Sequence, residues 1–106
     1  MSPDPSLPSI WNIGIGLPSA LAIMDAVKDG ADVNETSEND YTLLMCSAQN
    51  GAIENVLCLL AAGADPTAKS LGKTASELAR DQNENEIADI IDVYIRRVNR
   101  LSKHAR

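Results

Sequence analysis

A chain of 106 residues has room for one domain with a modest core and little space for a second module. With no phenylalanine and only Trp11, Tyr41 and Tyr94 as aromatics, that core must be aliphatic and alanine-rich, which suits thin helical layers. No apolar run approaches the ~20 residues that cross a bilayer, and the first residues lack the basic start and apolar stretch of a secretory signal. The expectation is therefore a soluble protein inside the cell, cytoplasmic or nuclear, with no membrane partner.

The net charge of −6 is unevenly spread. Residues 1–92 hold all 15 carboxylates against Lys28, Lys69, Lys73 and Arg80, a balance of −11. Arg96, Arg97, Arg100, Lys103 and Arg106 leave the segment 93–106 at +5. A basic end can mark a nucleic-acid contact, but the acidic remainder opposes one electrostatically. Cations on the last turns of a helix also complement its dipole, which is the plainer account.

In chain order, Met1 to Pro8 carries Pro3, Pro5 and Pro8, so residues 1–8 read as a disordered lead-in. Pro8 and Pro18 can each begin a helix, where the missing amide hydrogen has no acceptor to lose. Gly14 and Gly16 weaken the first of these helices. On the second, Leu21, Ile23, Met24 and Val27 form the apolar side, and Gly30 ends it in the left-handed conformation. A polar, acidic stretch from Asp32 to Tyr41 follows.

Thr42 caps the next helix, its hydroxyl accepting an otherwise unpaired amide hydrogen. Leu44, Cys46 and Ala48 are expected to pack with Val56, Leu59 and Leu60. Gly63 then repeats the role of Gly30, Gly63-Ala64-Asp65 echoing Gly30-Ala31-Asp32 at a period of about 33 residues. Stepping back one period sets Ser9 under Thr42, Trp11 under Leu44, Ile13 under Cys46 and Ile23 under Val56, with Trp11 covering the end of the stack or anchoring a partner. The second polar stretch, Ala64 to Lys73, is one residue shorter than the first, and Thr74 starts another helix. From about Glu84 a long last helix places Ile87, Ile90, Ile91, Tyr94, Ile95, Val98 and Leu101 at steps of three and four.

A period of this length, with a tight turn and two helices per unit, resembles the ankyrin repeat. Thr42-Leu43-Leu44-Met45-Cys46-Ser47-Ala48 is similar to that family's T-P-L-H-x-A-A helix start, with Met45 in place of the histidine. Gly51-Ala52-Ile53-Glu54-Asn55-Val56-Leu57-Cys58-Leu59-Leu60 resembles its G-H-x-E-I-V-x-x-L-L second helix. In the third unit Ser76 stands where leucine is usual and Glu77 where histidine is usual. Ser37 and Asp40 stand where the first finger usually has Asp and Gly. The resemblance implies an all-α, ankyrin-repeat solenoid of stacked helix-turn-helix units, with projecting β-hairpin fingers and an extended C-terminal helix. Repeats fall at about 9–30, 31–63 and 64–95, making a domain of 9–95, and 96–106 is a basic helical extension.

No chemistry for catalysis is visible. His104 is the single histidine, and Cys46 and Cys58, read as buried free thiols, lack further metal ligands. Gly14-Ile15-Gly16 has no preceding strand, and Gly72-Lys73-Thr74 has no upstream glycine of a phosphate loop. Neither an enzyme nor a cofactor is expected. The resemblance implies instead a protein-interaction scaffold that binds a protein or peptide on its concave surface. Carried over by position, the contacts are Glu38, Asn39, Tyr41, Gln49 and Asn50, then Ser70, Leu71, Lys73, Asp81 and Gln82. Tyr41 and Leu71 are the favoured anchors, and the acidic first finger favours a basic partner. The alternative is a homo-oligomer or docking contact through Ile91, Ile95, Val98 and Leu101.

Overall fold

The computed structural model describes residues 9–11 and 17–104, with side chains through Leu101. The lead-in 1–8 and the readings of Ile13, Gly14, Gly16 and Arg106 fall outside these residues. Among the described residues five α-helices follow in order: α1 (Ala20–Lys28), α2 (Leu43–Gln49), α3 (Ile53–Ala61), α4 (Ala75–Asp81) and α5 (Asn85–His104). Three of them begin where a hydroxyl supplies what the first amide hydrogens need. The Ser19 hydroxyl accepts from Ala22 N at 3.2 Å, and Thr42 and Thr74 accept from Met45 N and Glu77 N. The partner at the third helical position closes each Thr box differently. Glu77 Oε1 accepts from Thr74 N at 3.0 Å, whereas at Thr42 the acceptor is the Met45 sulfur at 3.4 Å. A buried thioether thus closes the box at Thr42, where a carboxylate closes it at Thr74.

The helix ends repeat as regularly as the starts. Gly30 and Gly63 sit at φ +106° and +97°, a region that costs a residue with a Cβ. From there Gly30 and Ala31 donate to Val27 and Ala26, and Gly63 and Ala64 donate to Leu60 and Leu59. The side chains of Asp32 and Asp65 then accept from Asn34 N and Thr67 N at 2.9 Å, forming the same local turn twice. Between α4 and α5 the left-handed place falls to Asn83, at φ +62°.

The expected fingers contain no strand among the described residues. Each is a hairpin turn closed by a single antiparallel bridge, Thr36 with Thr42 and Ser70 with Lys73. In the first, Ser37 N donates to Tyr41 O at 2.8 Å around Glu38–Asp40, with Asn39 and Asp40 at φ +59° and +61°. In the second, Ser70 and Lys73 exchange both backbone hydrogen bonds around Leu71 and Gly72, at +49° and +82°. The residue missing from the second polar stretch is therefore lost at the hairpin tip, three loop residues becoming two.

Packing runs α1 on α3, α3 on α2, α2 on α4 and α4 on α5. The Tyr94 hydroxyl donates to Leu60 O at 3.3 Å and ties α5 back to α3. The radius of gyration of 13.7 Å is close to the ~13 Å of a compact chain of this length. Ile23, Leu43, Leu44, Met45, Val56, Leu59 and Ile91 are fully buried, and Ala48, Ala79 and Ala88 let the helices approach closely. Of the residues expected in the central layer, Leu44, Ala48, Val56, Leu59 and Leu60 are buried while Cys46 is half-buried.

The structure corrects the sequence reading along α1 and α5 and at the cysteines. Leu21 and Met24 do not line a buried side of α1: they are 74% and 57% exposed, because α1 packs chiefly on α3 and buries Ile23 and Ala26 instead. Both cysteines are free thiols but only half-buried, and burial still raises the Cys58 thiol above its ordinary value. Ile91 is fully buried, which closes it to a second molecule, while Ile95 is half-buried against the core. Val98 and Leu101 remain exposed at 45% and 69%, on a stretch where every residue from Arg96 to Leu101 is exposed.

Candidate functional site

The two hairpin turns stand side by side because α2 and α4, which they lead into, pack against each other. Ser70 joins them directly: its hydroxyl, on a residue only 6% exposed, donates to Asn39 O at 2.7 Å. Between the turns and the helices α2 and α4 lies an open groove of about 540 Å³. Ser37, Glu38, Asn39 and Tyr41 line it from the first turn, Ser70, Leu71 and Lys73 from the second, and Gln49, Leu78 and Asp81 from the helices.

Eight of the ten residues carried over from the repeat pattern thus share one concavity. Asn50 and Gln82 do not. Asn50 caps α2, its side-chain amide donating to Cys46 O at 2.7 Å, and lines a separate cleft beside Trp11 and Leu43. Gln82 caps α4 and contributes nothing to the groove wall. Ser37 and Leu78 line the groove without belonging to the carried-over positions. Leu78 corresponds to Cys46 one shortened period later, a position expected to pack in the helical layer, so nothing in the spacing marks it as groove-lining.

Tyr41 is a wall of the groove rather than a projecting anchor. It is half-buried, stacks on Trp11 with ring centroids 6.0 Å apart, and donates its hydroxyl to Gln49 Oε1. Burial, with Cys46 beside it, pushes the phenol up to about 12, so Tyr41 stays a neutral donor at physiological pH. Trp11 in turn donates Nε1 to Glu35 O at 2.9 Å, which holds the aromatic pair against the first turn.

Leu71 behaves in the opposite way. It is 82% exposed, and it holds φ +49°, a conformation that leucine avoids. Around it the charges are mostly matched. Lys73 pairs with Asp81, and that hydrogen bond raises the lysine, fixing its charge. Glu38 has no ion-pair partner among the described residues. The groove offers apolar surface at Leu71, Leu78 and Tyr41, with one uncompensated carboxylate at its rim.

Among the described residues no group of three or more His, Cys, Asp or Glu side chains converges as a metal site would require. No described helix is long and apolar enough to cross a membrane. No protein-family model matches this chain, and no curated protein matches it.

Proposed function

We propose that this chain is a short ankyrin-type repeat array, a non-catalytic module that holds a protein or peptide segment in the groove between its two hairpin turns. Leu71 carries the reading. A leucine in the left-handed region costs folding free energy, and its side chain, almost wholly exposed, regains none of it within the chain. An apolar group kept there at the lip of a groove is suited to contact with another molecule. The recurring Gly30 and Gly63 turns and the Thr42 and Thr74 caps support the repeat array. Glu38 favours a partner with a basic residue beside an apolar one.

Selection from a random peptide display library tests the proposal. Enriched peptides should carry Lys or Arg near an aliphatic or aromatic residue. Binding should fall about tenfold on Leu71→Asn, which removes about 1.4 kcal/mol of apolar contact. It should also fall on Glu38→Lys and persist on Gln82→Ala. Failure to enrich any peptide, or peptides indifferent to Leu71, would overturn it.

A further inference from the structure

The outward side of α5 carries a second pattern, which the inward aliphatic seam conceals. Glu86, Ile90, Val93, Arg97 and Arg100 recur at steps of four, three, four and three, tracing one stripe along the helix. Glu86, Val93, Arg97 and Arg100 are exposed, Val93 by 41%, and Ile90 is half-buried. The charges on this side are segregated: Glu86 and Asp89 precede Val93, and Arg97 and Arg100 follow it. Their spacing is symmetric, with Glu86 and Arg100 equally far from Val93 along the helix, and Asp89 and Arg97 equally far within them. At 1.5 Å per residue the outer charges stand ~10.5 Å on either side of the valine.

We infer that this face is an interface between two copies of the chain, with the α5 helices antiparallel and Val93 on the twofold axis. Such a pairing is self-complementary: Glu86 meets Arg100 of the partner subunit, and Asp89 meets Arg97 of the partner subunit, each contact occurring twice. A parallel pairing sets like charges opposite one another and is disfavoured. Asp89 already binds Arg80 through Oδ1 at 2.8 Å, and its Oδ2 remains for the second contact. The exposed turns from Arg96 to Leu101 come to lie along the first half of the partner helix. No residue lining the groove belongs to α5, so a dimer keeps both grooves open.

Sedimentation velocity from micromolar to millimolar protein should show a monomer–dimer equilibrium that weakens as salt rises. Glu86→Arg alone and Arg100→Glu alone should each weaken dimerisation by at least about tenfold, since each reversal places two pairs of like charges together. The double variant, with the pattern inverted but again complementary, should recover to within about threefold of the wild type. Should a single reversal disturb the helix by circular dichroism, Val93→Glu and Val93→Lys serve instead: each monomeric alone, the two mixed forming a heterodimer. A wild type that stays monomeric throughout, reversals without effect, or a double variant as weak as the singles would overturn the inference. So would a V93E and V93K mixture that stays monomeric.

Discussion

Asn34 and Asp65 are joined across consecutive turns: the Asn34 carboxamide accepts the Asp65 amide hydrogen at 2.7 Å and donates to Gly63 O at 3.4 Å. One side chain thereby fixes the spacing of the turns at Gly30 and Gly63, and with it the alignment of α1 and α3 that the turns terminate. Asn34→Ala should cost about 1 kcal/mol, the usual net worth of such a bond, or roughly 4–8 °C in melting temperature for a domain of this size. Asn34→Asp, which keeps the acceptor and loses the donor, should fall between the two. Equal stability of all three in urea titrations would mean that the turns align without this bridge.

Ser47 supplies a test of opposite sign. It is fully buried in α2, and its hydroxyl has no hydrogen-bond partner among the described residues. A buried polar group left unmatched costs about 1–3 kcal/mol, and alanine is also the better helix former. Ser47→Ala should raise the urea midpoint by an amount equivalent to at least about 1 kcal/mol with an unchanged slope. A destabilised variant would show that the hydroxyl is matched in solution.

The parts of this fold that are legible in the sequence are those determined within a few residues of chain. Gly30 and Gly63 announce their turns because few other residues adopt that backbone, and Thr42 and Thr74 announce helix starts because their hydroxyls act within the first turn. What the sequence conceals depends on neighbours. Leu21 and Met24 have the spacing of a buried stripe, yet no described element covers that side of α1. Tyr41 has the position of a projecting anchor, but Trp11, contributed by the segment before α1, folds against it. The groove itself is legible as a set of positions, since eight of the ten converge. That Leu71 is strained as well as exposed is not, because its φ follows from a hairpin shortened by one residue.

Tyr41 should make stability depend on alkaline pH. Its proton is held more tightly in the fold, to about 12, than in the unfolded chain, where the ordinary value is 10.0. A group whose folded value is raised contributes fully below the unfolded value and loses that contribution as pH climbs from there through the folded one. Unfolding free energy should therefore drop between about pH 10 and pH 12. Tyr41→Phe, though less stable for want of the Gln49 bond, should show a shallower slope across that window. Parallel slopes for the two proteins would mean that the phenol ionises as freely in the fold as outside it.

The N-terminal segment is held by one carboxylate. Glu35 accepts from Ile10 N through Oε1 at 2.9 Å and from the Ser9 hydroxyl through Oε2 at 2.8 Å, while its backbone carbonyl takes Trp11 Nε1. Ile10 is fully buried beneath this clasp, so loosening the segment also uncovers core. Glu35→Ala removes both side-chain acceptors, leaves Ile10 N without its partner, and should cost about 1–3 kcal/mol. Trp11 is the one tryptophan, so its emission reports this segment alone, and it should shift to the red as the indole leaves Tyr41. Glu35→Gln, which can still accept from Ile10 N, should shift less. Because Tyr41 also lines the groove, release of Trp11 should alter peptide affinity too. An unshifted spectrum in the alanine variant would show that the buried Ile10 side chain, rather than the carboxylate, keeps the segment in place.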